Sequence, residues 1–142
     1  MRIIGLEEHF TTPEIAQALQ NLPPDQRDDS QNMSQSETIK SRLIDLGDER
    51  LRQMDDIGLE RMVISVTAPA TQILSPTEAV PLARQANDRL AAAVKAHPDR
   101  FSGFATLPTS DPSASVQEFE RTVQELGFVG AMINRSWALW EP

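Results

Sequence analysis

Apolar positions along this chain alternate between two kinds of pattern. Four short, predominantly apolar segments, at residues 3–10, 61–67, 101–107 and 128–133, lack a regular polar alternation, as expected for strands covered on both faces. Between them the apolar residues recur at helical spacing. Ile15, Ala18, Leu19 and Leu22 share one face, as do Leu51, Met54 and Ile57, then Leu82, Ala86, Leu90 and Val94, and finally Val116, Phe119, Val123 and Leu126, so each set predicts an amphipathic helix with that stripe turned to the core.

Punctuation residues agree with these elements. Thr12-Pro13, Ser75-Pro76 and Asp111-Pro112 each place a capping side chain before a proline suited to the first helical turn. Ser75-Pro76-Thr77-Glu78 also has the form of a capping box. Ser36 is expected to cap a helix running to about Leu46, and Asp48 a second one stopped by Gly58. The long helix should end near His97-Pro98, and Gly127 should close the last one immediately before the fourth strand. Residues 23–35 carry neither period, which predicts a surface loop, either a linker or a lid over the carboxyl end of the first strand. Strands alternating with helices in this way predict an α/β fold of about four parallel strands with helical crossovers, either doubly wound or part of a (β/α) barrel.

Composition narrows the classes. The 142 residues are long enough for one core, and at 39% hydrophobic and 24% charged they read as globular. A formal net charge of -8, without a basic cluster, opposes binding to a phosphate backbone, so no nucleic-acid partner is expected. No apolar run is long enough to span a bilayer and the first ten residues lack a signal-peptide pattern, so the expectation is a cytoplasmic protein with no membrane partner. The absence of cysteine excludes disulfides, thiolate metal sites and a cysteine nucleophile.

The chemistry is concentrated at the end of the first strand. Side chains two apart on a strand project to the same side, so Glu7 and His9 should converge while Leu6 and Glu8 face the other way. A carboxylate and an imidazole so placed can ligate one divalent cation. The competing reading is a solvated strand end. His97, at the helix-to-strand turn, falls at the opposite end of the sheet and is expected to be structural.

Three motifs, taken together, go further: Leu6-Glu7-Glu8-His9-Phe10; His97-Pro98-Asp99-Arg100-Phe101 running into Gly103-Phe104-Ala105-Thr106-Leu107-Pro108; and Glu125-Leu126-Gly127-Phe128-Val129-Gly130-Ala131. In this order and spacing the chain resembles, from about residue 1 to Asn134, the amino-terminal part of the metal-dependent decarboxylases of the amidohydrolase superfamily. It is nearest to their aromatic-acid branch and more distantly similar to the aminocarboxymuconate semialdehyde decarboxylases. The resemblance implies a partial TIM-like barrel in which Glu7 and His9 ligate a divalent metal ion, zinc or manganese, and Asn134 lines the substrate pocket. It implies non-oxidative loss of carbon dioxide from a small hydroxylated aromatic acid. A metal-dependent hydrolase is the alternative within the superfamily, although Glu-x-His in place of His-x-His favours the decarboxylase branch.

Two departures shape the remaining expectations. A full barrel needs eight strands, whereas four are legible here, and the superfamily's other metal ligands and proton-transfer residues belong to the absent half. Residues 135–142, which hold both tryptophans, do not resemble the family's continuation. We therefore expect residues 1–134 to be the amino-terminal half of such a barrel followed by an unrelated tail, the product of a truncation or frame change. Such a chain should have little activity alone, and it should form homo-oligomers or aggregates through exposed strand edges.

Overall fold

The computed structural model describes residues 2–27 and 36–134. The tail at 135–142, and the part of the expected lid or linker at 28–35, lie outside the described residues. The elements follow in order: β1 (Ile4–Phe10), α1 (Pro13–Gln20), a 3-10 turn (Pro24–Gln26), α2 (Glu37–Ile44), α3 (Asp48–Asp56), β2 (Arg61–Val66), α4 (Pro76–Ala96), β3 (Phe101–Ala105), α5 (Pro112–Gln124) and β4 (Gly130–Ala131). Every strand pair is parallel and the spatial order is β1-β2-β3-β4. Chain order and spatial order coincide, which is the winding of a (β/α) barrel and not of a doubly wound sheet, whose order reverses at a switch point. The fold is α/β, an open portion of a TIM-like barrel.

The caps explain why the helices begin where they do. Thr12 Oγ1 accepts the Ile15 N–H at 3.2 Å and Asp111 Oδ1 accepts the Ala114 N–H at 3.0 Å, each satisfying a donor that the first helical turn leaves open. Ser75 behaves differently. Its hydroxyl donates to Glu78 Oε2 at 2.6 Å and makes no backbone cap, so the two side chains bond each other in place of the reciprocal backbone bonds of the expected capping box. Asp48 is not a cap but the first residue of α3; Asp45 does the work, accepting the Arg50 N–H on Oδ2 at 2.8 Å from outside the helix. The β4 ladder is also shorter than the 128–133 expected. Phe128 leaves the strand to pack on Gly103, where a β-carbon would meet its ring at 2.7 Å.

The core lies between the sheet and its helices. Ile15, Met54, Ile64 and Leu90 are fully buried, each such side chain contributing roughly 1.5–3 kcal/mol by its removal from water. Ala79, Ala83 and Ala86 bring α4 close to the strands. One buried face is polar. Asn87, at 1% exposure, donates from Nδ2 to Thr106 O (2.9 Å) and to Glu118 Oε1 (2.8 Å) and accepts the Thr106 N–H (2.9 Å), so it fixes the exit of β3. Glu118 is in turn forked by Arg121 at 2.7 and 2.8 Å. These bonds hold the Arg121 guanidinium above its ordinary pKa.

That network overturns the expected orientation of α5. Its buried residues are Glu118 and Thr122, whereas Val116, Phe119 and Val123 remain 60%, 40% and 40% exposed. Satisfying Asn87 and Glu118 together turns the polar face inward, because buried polar groups without partners cost more than an exposed apolar stripe. Ile57 is likewise 70% exposed, just past the end of α3, and not on its core face.

Candidate metal centre

Strand β1 meets β2 with one irregularity. Gly5 pairs with Met62 and Glu8 with Ile64, so β1 spends one more residue than β2 across this interval. Such a bulge breaks the two-residue alternation. The helix-facing side carries Gly5 and Glu8: a β-carbon on Gly5 would meet Glu8 Oε1 at 2.5 Å. Leu6 and Glu7 fall within the irregularity, between those two pairs, and His9 pairs with Ser65. Leu6 and Glu8 therefore do not form the second face that strict alternation predicts.

His9 is held from two directions. Its Nδ1 lies 3.1 Å from the hydroxyl of the fully buried Ser65. Its carbonyl accepts Arg50 Nη2 at 2.9 Å. Either group can donate in this contact; the tautomer in which Nδ1 donates to Ser65 keeps the Nε2 lone pair that a metal-ligating imidazole requires. Arg50 also donates to Asp45 O at 2.8 Å and Arg42 O at 2.9 Å, so it ties the end of β1 to the α2–α3 turn. Burial lowers the pKa of Arg50, partly offset by the charges of Asp45 and Glu8. Glu7 is exposed, and together with Glu8, His9, Arg42, Arg50 and Met62 it lines a cleft of about 310 Å³.

Among the described residues no group of three or more His, Cys, Asp or Glu side chains is arranged to hold a metal ion. The side chains at this strand end include carboxylates, Glu7 among them, and the His9 imidazole. Such donors fit a hard or borderline divalent ion as part of a coordination shell, and they do not close one.

The other functional residue expected from sequence, Asn134, lies just past β4, at the same end of the sheet. Its backbone is bonded to the Gln72 side chain, and its Nδ2 is buried without a hydrogen-bond partner among the described residues. The Thr109 hydroxyl, on the loop after β3, is in the same condition. His97 lies at the far end, where its N–H caps α4 on Ala93 O (3.0 Å) and its ring stands edge-on to Phe101 at 5.6 Å between centroids. That is a packing role, as expected. Sequence reasoning missed Ser65 and Gln72. The only signal for Ser65 was a hydroxyl inside an apolar strand.

Comparison with known proteins places this geometry in context. The model of the amidohydrolase family matches residues 12–142. Gamma-resorcylate decarboxylase of a Polaromonas species is 46% identical over 132 residues, spanning 92% of this chain and 38% of that relative. A dihydroxybenzoic acid decarboxylase from Polaromonas, crystallised with manganese and the inhibitor 2-nitroresorcinol, superposes with a TM-score of 0.76 at 44% identity, over 94% of this chain and 39% of that one. The 5-carboxyvanillate decarboxylase of Novosphingobium aromaticivorans, crystallised with manganese and 4-hydroxy-3-methoxy-5-nitrobenzoic acid, superposes with a TM-score of 0.87 at 35% identity, over 95% of this chain and 42% of that one. This chain thus spans about two-fifths of the length of the relatives it matches.

Proposed function

We propose, because the chain belongs to the amidohydrolase family, that it carries the amino-terminal part of a manganese- or zinc-dependent carboxy-lyase acting on a small hydroxylated benzoic acid. The observation that carries this reading is the His9–Ser65 pair, a buried hydroxyl 3.1 Å from Nδ1 of a strand-end imidazole. In it, Glu7 and His9 are the metal ligands contributed by this chain, and Asn134 lines the substrate pocket. The ion, when bound, supplies Lewis acidity that gathers the carboxylate and phenolate oxygens of the acid. Ser65 holds the imidazole tautomer, Arg50 fixes the strand end, and the Asn134 amide offers a donor to an oxygen of the ring substituents. Protonation of the ring carbon that releases carbon dioxide needs an acid that these residues do not include. We accordingly expect little turnover of gamma-resorcylate by the purified 142-residue chain.

We place residues 1–134 in this unit; the family match itself runs on through residue 142. A cytoplasmic location accords with a cysteine-free chain, and among the described residues no helix is long and apolar enough to cross a membrane. The test is equilibrium manganese binding. The reading expects Glu7→Gln and His9→Ala each to weaken it about tenfold or more, as loss of one of two ligands should, and it is abandoned if neither does.

A second reading concerns association. Ile4 and Leu6 on β1 are 51% and 60% exposed, Ile133 past β4 is 56% exposed, and the stripe on α5 adds Val116. Both flanks of the sheet thus present apolar surface, and unpaired edges invite partners. Sizing chromatography of the chain should give a dimer or larger species; a sharp monomer peak counts against it.

A further inference from the structure

The chain leaves β4 at Ala131, and the last ladder bond is the Met132 N–H on Ala105 O at 3.1 Å. Two residues later the backbone is held by something other than a strand. The side-chain amide of Gln72, on the loop between β2 and α4, accepts the Asn134 N–H on Oε1 at 2.7 Å and donates from Nε2 to Asn134 O at 2.8 Å. Both polar groups of one residue are thus met by a single side chain 62 positions away, as a neighbouring strand would meet them.

The platform behind this clamp is itself anchored. Gln72 is 7% exposed and Thr71 fully buried, and Thr71 Oγ1 donates to Leu107 O at 3.3 Å. The Thr67 N–H reaches Phe10 O at 2.8 Å, the Ala70 N–H reaches Thr67 O at 2.9 Å, and Ala70 itself is left-handed (φ 55). An amide at this depth is tolerated because both of its atoms are satisfied. The Asn134 side chain has the opposite status. Its Nδ2 is buried with no acceptor among the described residues, a state that costs free energy until a partner is supplied.

We infer that Gln72 is a positioning residue: it clamps the Asn134 backbone to the β2–α4 loop and so aims the Asn134 amide at the carboxyl rim, to donate to an oxygen of the bound aromatic acid. The inference deepens the proposed function and rests on its assignment of Asn134. It adds that the position of Asn134 is set from the second strand's loop and not by β4, whose ladder has already ended.

The test pairs amide hydrogen exchange with ligand titration on the whole chain. Gln72→Ala should speed exchange of the Asn134 N–H about tenfold or more, the size of one net hydrogen bond, while amides in β2 and β3 keep their protection. Gln72→Glu retains the acceptor half of the clamp, so the Asn134 N–H should stay protected, which a general loosening would not allow. Gamma-resorcylate, titrated with manganese present, should bind less tightly to Gln72→Ala and to Asn134→Ala, and the double variant should lose no more than the worse single one. Unchanged Asn134 exchange in Gln72→Ala, or additive losses in the double variant, overturns the inference. If Asn134→Ala alone has no effect on binding while exchange responds as stated, the clamp stands and the substrate role of Asn134 falls.

Discussion

The two ends of the sheet are built to different standards. At the amino ends of the strands, arginine side chains close the carbonyls of Leu59, Glu60 and Pro98. Arg100 donates from Nε to Glu60 O at 3.0 Å and from Nη2 to Asp55 Oδ1 at 2.7 Å. Arg61 reaches Ser102 Oγ at 2.9 Å and Pro98 O at 2.7 Å. At the carboxyl ends the chain exposes Glu7 and buries two polar groups, Thr109 Oγ1 and Asn134 Nδ2, that have no partner among the described residues. In folds of this class the amino-terminal face carries stability and the carboxyl-terminal face carries chemistry. Here both buried side-chain polar atoms without a partner among the described residues lie at the carboxyl-terminal face, beside carbonyls that Arg50 and Asn87 do satisfy. The contrast teaches that unsatisfied groups at one rim are affordable because the other rim, and the apolar layer under both, have few.

Substitutions should respect that division. The largest loss of stability is expected at the amino-terminal face: Arg100→Ala uncovers the carbonyl of Glu60 and breaks the pair with Asp55, and should cost about 2 kcal/mol in chemical denaturation, with manganese affinity unchanged. A loss of metal affinity there would blur the contrast. Next comes Ser65→Ala, which frees the His9 ring. Manganese affinity should fall about tenfold, as for removal of an orienting partner behind a ligand, while stability drops by less than about 1.5 kcal/mol. Equal affinity in this variant would mean that the hydroxyl does not set the tautomer. The smallest effect is expected for Thr109→Val, which removes a hydroxyl that no described group satisfies. Stability should change by no more than about 0.5 kcal/mol; a large loss would reveal a partner for that hydroxyl.

Much of this architecture is legible in sequence because it is written in local rules. Thr12 and Asp111 announce their helices by side chains that reach only three residues ahead, and the parallel order follows from strands that alternate with helices. The features that escape are those set by distant parts of the chain. The bulge at Leu6 and Glu7 exists only relative to the register of β2. The inward turn of Glu118 answers an amide on another helix, so a stripe of Val116, Phe119 and Val123 that looks like a core face is left outside. The imidazole partner Ser65 and the clamp residue Gln72 lie 56 and 62 positions from what they hold. No period or motif marks such pairings. The candidate ligands were legible as a spacing, whereas the groups that orient them were not.

The claim on which the account turns is that Glu7 and His9 emerge together at the carboxyl rim and share one cation. Paramagnetic broadening by manganese, added in small steps and followed in the amide and imidazole resonances of the chain, addresses it directly. Broadening should begin at Glu7, His9 and their neighbour Ser65, and leave His97 and Arg100 at the far rim sharp until much later. Broadening that begins elsewhere, or that spares His9 while reaching the acidic surface of α3, would contradict it.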